Sequence, residues 1–168
     1  MLSKKNSLAN LNKKYNIFLV KYIVVIISYY LLLLIPNNFI LEQYLRSTAF
    51  FSSLIINLFT EGVRNVGDVI MGKNFSVQIS FGCEGTEPMI LFVAGVLAFD
   101  TKIKKKAIGV LSGIVLLYIL NLIRIVILFY VGSNDIELFV ALHDVYLQLA
   151  LILIALSMLL FWINYAKK

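Results

Sequence analysis

Apolar residues in this chain gather in long runs separated by short polar segments. Ile17 to Ile35 is a run of 19 residues broken only by Lys21 and Ser28, long enough to cross a bilayer core. It exceeds the roughly 7–15-residue core of a secretory signal. It ends at Pro36-Asn37-Asn38 rather than at a small-residue cleavage site, so it reads as a retained anchor. Lys21, one turn inside, can snorkel to the headgroups. From Ile40 to Thr60 the pattern changes. Glu42, Arg46, Ser53, Asn57 and Glu61 fall near one stripe, at spacings of three to four with one longer gap. The other positions are largely apolar. Such a helix suits the membrane interface, or packing against other helices, better than lipid exposure.

Phe75, Val77, Ile79 and Phe81 alternate with Ser76, Gln78, Ser80 and Gly82, the period of a strand. Val69-Ile70-Met71 and the turn residues Gly72-Lys73-Asn74 precede them, which predicts a small β-hairpin over about 66–81. Thr86 is placed to cap the helix that follows, with Glu87 and Pro88 in its first turn. That helix is predicted over about 86–100. A 25-residue apolar run, 107–131, gives about 37 Å of helix. The last run covers 138–163. Gly109, Ser112 and Gly113 suggest a helix-packing face, and Tyr118, Tyr130 and Tyr146 suggest interface or packing aromatics.

Composition agrees with the pattern. Of 168 residues, 61% are hydrophobic and mean hydropathy is +0.91, above the range of soluble domains. The expected fold is an all-α polytopic membrane protein forming one membrane domain over 1–168. It has about four transmembrane helices, an outer-face amphipathic helix over about 40–60, and the hairpin before Cys83. The net charge of +6 resolves into topology. Lys4, Lys5, Lys13 and Lys14 precede the first run, Lys102, Lys104, Lys105 and Lys106 fill one short loop, and Lys167 and Lys168 end the sequence. If 40–60 crossed the membrane, five spans would put the lysine loop and the N-terminus on opposite sides, against the positive-inside rule. Four spans place all three clusters in the cytoplasm and leave Glu42, Glu61, Asp68, Glu84, Glu87, Asp135 and Glu137 outside. Nucleic acid is thereby excluded as the reason for the charge, and a multi-pass protein of the cell membrane is expected.

The same topology sets depths. Cys83, the one cysteine, lies outside, before the third span. Arg124 is seven residues from Val131, about 10 Å below the outer end of its helix. His143, the one histidine, is about 8 Å into the last span. Asn121 is one turn below Arg124 on the same face. Thiol, imidazole, guanidinium and amide can therefore meet in the outer leaflet, a set suited to cysteine acyl transfer with Cys83, Arg124 and His143 as catalytic candidates. An arginine this deep costs roughly 2.5–3.5 kcal/mol on insertion scales. Glu84 and Glu87 raise a neighbouring thiol's pKa, so a cation from Arg124 or protonated His143 is needed. Asp144 is at Arg124's depth and is a candidate ion-pair partner. It points about 100° away from His143 on a regular helix, a poor position from which to orient the imidazole. Zinc is excluded, since Cys83 and His143 are the only soft ligands, and no cofactor is expected. Each residue also has a plainer reading: an inert buried thiol, a satisfied helix-end histidine, and a structural Arg124/Asp144 pair in a non-catalytic scaffold or small transporter. A thiol redox role lacks a resolving cysteine.

The stretch Phe81-Gly-Cys-Glu-Gly-Thr-Glu-Pro-Met-Ile-Leu-Phe, then Asn121-Leu-Ile-Arg124-Ile, then His143 early in the last span, resembles the exosortase/archaeosortase family, with short exosortase H-type members most similar. The resemblance runs from about Val66 to the C-terminus. It implies a membrane-embedded cysteine transpeptidase acting on exported proteins whose C-terminal signal combines a short motif, a transmembrane helix and a basic tail. By motif, Cys83 would be the nucleophile, Arg124 the cationic stabiliser and His143 the acid/base, with the site toward the extracytoplasmic face. Asn121, Glu84, Glu87 and Asp144 are the supporting or substrate-contacting candidates. The family often carries a small hydroxyl residue after the cysteine, where this chain has Glu84.

Overall fold

A computed structural model describes residues 2–35, 38–80 and 82–167. The break assigned to Pro36 and Asn37, the Phe81 end of the alternation and Lys168 lie outside the described residues. Six α-helices and three short strands follow in order: α1 (Leu2–Leu33), α2 (Phe39–Asn57), β1 (Arg64–Val66), β2 (Val69–Met71), β3 (Ser76–Gln78), α3 (Thr86–Ala98), α4 (Ile103–Gly132), α5 (Ile136–Ala141) and α6 (Leu147–Ala166). A π-helical turn, Leu142–Tyr146, joins α5 to α6. Among the described residues, three stretches are long and apolar enough to cross a membrane: Asn12–Leu33, Ile103–Gly132 and Ile136–Ala166. The chain is an all-α polytopic membrane protein with a small sheet inserted.

The fourth expected span, α3, has 13 residues, about 20 Å of helix against a hydrocarbon core near 30 Å. It packs against α1, α4 and α6, so its ends need not reach both bilayer surfaces. α2 is not among the helices long and apolar enough to span. It begins at an Asn38 cap whose Oδ1 accepts from the Leu41 N–H at 3.2 Å, which satisfies one of the open first-turn donors. Its inner face is lined by Thr48, Ala49, Ser52, Ser53 and Ile56.

The expected hairpin is a three-stranded antiparallel sheet in the order β1-β2-β3. Val66 pairs with Val69 across a two-residue turn at Gly67-Asp68, and Ile70 pairs with Val77. One sheet face, carrying Val63, Ile70, Val77 and Ile79, joins Ala49 and Ile56 of α2, Ile125 and Phe129 of α4, and Cys83 in a single apolar cluster. A second cluster fills the space between α3, α4 and α6, around Phe92, Val96, Leu117, Ala155, Leu159 and Trp162. There the helices approach through glycines. A methyl group added at Gly109 would strike the Trp162 indole, one at Gly113 the Phe92 ring, and one at Gly95 the Leu159 side chain. Small residues permit such approach where lipid supplies no hydrophobic drive. Ser112 departs from the expected face. It is exposed, and its hydroxyl donates back to the Ile108 carbonyl at 2.8 Å.

At the end of this cluster away from Cys83, two lysines close helix termini. Lys105 Nζ donates to the Ala166 carbonyl at 3.2 Å and Lys106 Nζ to the Leu97 carbonyl at 2.6 Å. Both carbonyls belong to last turns, which lack internal donors and favour positive charge.

Candidate active site

The segment from Gly82 to Thr86 is a tight loop between sheet and helix. Cys83 N–H donates to the Ser80 carbonyl at 3.0 Å, closing a turn. Gly82 and Gly85 both have positive φ, 89° and 76°, a conformation costly for side chains other than glycine. Gly85 also lies against Asn121, whose Oδ1 would sit 2.6 Å from any added Cβ. Gly85, not Thr86, is the N-cap of α3. The Thr86 hydroxyl is used elsewhere. It donates to Glu84 Oε1 at 2.9 Å and bonds the Tyr29 hydroxyl of α1.

Three helices hold this loop by its carbonyls and side chains. Asn121 Nδ2 of α4 donates to the Glu84 carbonyl at 2.9 Å and to the Cys83 carbonyl at 3.4 Å. Tyr44 of α2 donates to the same Glu84 carbonyl at 2.9 Å. Arg124 Nη1 reaches the Gly82 carbonyl at 3.4 Å, while its Nη2 donates to the His143 carbonyl at 3.1 Å. One guanidinium thus links the cysteine loop to the histidine turn. Cys83 is 1% exposed, Glu84 and Asn121 0%, and Arg124 3%. Cys83 is therefore enclosed by protein, one residue from the Gly82 carbonyl that Arg124 bonds. Among the described residues, no hydrogen bond joins the Cys83 sulfur to His143 or Arg124.

The His143 ring lies in the π turn. Leu147 N–H reaches back five residues to the Leu142 carbonyl, so the His143 carbonyl loses its usual α-helical donor and accepts Arg124 instead. Such turns recur at functional sites. The ring stacks on Phe139, centroids 5.5 Å apart. Its Nδ1 meets Asp144 Oδ1 at 2.7 Å. Asp144 is thus the imidazole's partner, contrary to the expectation from a regular helix, where adjacent residues diverge. The expected alternative, a buried Arg124/Asp144 ion pair, is not formed. Arg124 bonds main-chain carbonyls, and Asp144 is mostly exposed. Since a carboxylate only accepts, Nδ1 is the donor in this bond, and Nε2 takes no part in it.

Electrostatics oppose one another at Cys83. Burial pushes the thiol's pKa up, Arg124 pulls it down, and Glu84 adds a smaller upward push. Burial also raises the Glu84 carboxyl, against bonds from its own N–H, Thr86 and the Gly82 N–H that favour the anion. Glu87, in the first turn of α3, accepts from Gln148 Nε2 at 2.7 Å, which ties α3 to α6 just past the histidine turn. Several buried polar atoms have no partner: Glu84 Oε2, Asn121 Oδ1, Arg124 Nε and Gln148 Oε1. Buried polar groups are normally satisfied, so the surroundings of Cys83 hold unused hydrogen-bonding capacity. Tyr29, Tyr44, Thr86 and Gln148 were not singled out from the sequence as site residues. A lone tyrosine or glutamine near a helix end carries no signal that separates it from a packing residue.

Residues 19–163 match the transmembrane exosortase family. The chain belongs to that family. The match takes in the cysteine loop, Asn121, Arg124 and His143 together with the C-terminal part of α1, as one multi-pass membrane exosortase. No curated protein and no solved structure matches the chain.

Proposed function

We propose that this exosortase is a cysteine transpeptidase that cleaves the C-terminal sorting signals of exported proteins at the extracytoplasmic side of the cell membrane. The observation that carries the reading is the bridge made by Arg124, whose two terminal nitrogens bond the carbonyls of Gly82 and His143. It ties the main chain of the cysteine loop and that of the histidine turn to one cation.

His143 takes the Cys83 proton and the resulting thiolate attacks the scissile carbonyl. The C–N bond breaks to leave a thioester, and the departing amine takes a proton from His143. An acceptor nucleophile then gives its proton to His143 and attacks the thioester, which releases Cys83. Arg124 stabilises the thiolate and the developing oxyanion, in surroundings of low dielectric where such donors act strongly. Asp144 holds the imidazole in the tautomer that exposes Nε2. Cys83 lies under the α2 and sheet side of the molecule, so a substrate reaches the sulfur only when that cover moves. Orientation follows from charge. α3 leads from the cysteine loop to the lysine turn, so a cytoplasmic lysine turn puts the site on the far side. The substrates would carry a motif, a transmembrane helix and a basic tail.

The deciding experiment compares cells carrying wild-type, Cys83→Ala and His143→Ala proteins of equal abundance. Both variants accumulate uncleaved exported proteins, and a substrate thioester that forms on the wild-type protein is absent from Cys83→Ala. Normal processing by Cys83→Ala would overturn the proposal.

A further inference from the structure

The sheet has two outer edges, and they are finished differently. Val66 pairs with Val69 across the two-residue turn, so the main-chain groups of Arg64 and Val66 face β2 and those of Val63 and Asn65 face outward. Val63 is closed off by the Asn57 side chain. Asn57 Nδ2 donates to the Val63 carbonyl at 2.7 Å, and its Oδ1 accepts from the Val63 N–H at 3.1 Å. On β3, the Phe75 carbonyl accepts from Gly72 N–H and the Ile79 N–H donates to the Asp68 carbonyl, both at 2.9 Å. Phe75, Val77 and Ile79 therefore point their main chain at β2. The main-chain groups of Ser76 and Gln78 point away from the sheet.

Nothing described closes that second edge. Among the described elements, β2 is the only one that packs extensively along β3. The segment Phe75-Ser76-Val77-Gln78-Ile79-Ser80 contains no proline or charged residue, the usual means of blocking an edge strand. The side chains of Ser76, Gln78 and Ser80 are exposed. The edge also leads into the candidate site: two residues beyond Gln78, about 7 Å along a strand, the Ser80 carbonyl begins the turn that ends at Cys83.

We propose that an extended segment of the protein being cleaved adds to this sheet as a fourth strand along β3, bonded to the main chain of Ser76 and Gln78, and that this pairing sets the scissile bond beside Cys83. The inference rests on the function proposed above. Strand addition gives main-chain affinity with little demand on side chains, which suits an enzyme whose substrates share only a short motif.

Cys83→Ala leaves the chain without a cysteine, so Ser76→Cys or Gln78→Cys then carries a unique thiol. The probe is an exported protein that accumulates uncleaved in the Cys83→Ala cells, with a single cysteine scanned along the segment ahead of its C-terminal span. Under oxidation in intact membranes, each enzyme thiol should select one position on the probe, on the order of tenfold over adjacent positions, because neighbouring side chains in a strand face opposite ways. Moving the enzyme thiol from 76 to 78 should shift the selected position by two residues. Cross-links that ignore this shift, that recur every three or four residues as on a helix, that join only two copies of this chain, or that fail to form overturn strand addition while leaving the function standing. If no exported protein accumulates, the proposed function fails and this inference fails with it.

Discussion

The two halves of this molecule are held together by different physics. Around Phe92, Leu159 and Trp162 the helices meet ring against glycine, with little polar chemistry between them. Around Cys83 a five-residue loop is gripped by Tyr29, Tyr44, Asn121 and Arg124, each bonding a main-chain carbonyl or a hydroxyl. Several polar atoms there remain unused. Close packing gives rigidity and no reactivity. Directed hydrogen bonds fix a loop in a costly conformation and leave capacity for a reacting group. The contrast explains why α3 is short: it stands on the packed half and ends where the polar half begins.

The strongest way to break this contrast is Arg124→Met, which keeps the stem and removes both carbonyl bonds. Cleavage of an accumulated substrate should fall by roughly 10²–10³, the usual loss for one such donor, while Gly113→Leu should lower thermal stability in detergent and leave the rate per folded molecule nearly unchanged. Equal rate losses from both would mean that the halves are not separable. Gly85→Ala comes next. A left-handed alanine costs about 1–2 kcal/mol, and overpacking against Asn121 adds about 1–3 kcal/mol. Specific activity should collapse while the α3–α4–α6 packing survives, which tryptophan fluorescence of Trp162 can follow. Tyr29→Phe removes the hydroxyl that ties α1 to Thr86 and should cost about 0.5–1.5 kcal/mol in an unfolding measurement, the mildest structural effect.

The last test concerns charge alone. The Glu84 carboxylate raises the Cys83 pKa and Arg124 lowers it. Glu84→Gln should therefore move the rising limb of thiol alkylation against pH toward lower pH, and Arg124→Met should move it higher. A shift of Glu84→Gln in the other direction would show that its side chain acts on the thiol by structure, not by charge.

Long uniform apolar runs made α1, α4 and the last span legible, and the isolated thiol, imidazole and guanidinium marked the candidate site because each is rare in such surroundings. What stayed hidden was set by tertiary context. Thr86 has the chemistry of a cap, yet a left-handed Gly85 takes that place and frees the hydroxyl for Tyr29. Arg64-Asn65-Val66 is too short and too polar to announce a strand, and becomes one only because β2 lies beside it. Asp144 looked misdirected because a regular helix was assumed, and nothing in Leu142–Tyr146 signals that its turn widens.

That widened turn carries a consequence of its own. It accommodates one residue beyond the count of a regular helix, so everything after Tyr146 is rotated by about 100° relative to an unbroken continuation of α5. Closing the turn to a regular helix without losing a residue would set His143 and Gln148, five positions apart, about 140° from each other, whereas deleting Val145 would leave them four apart and on one face.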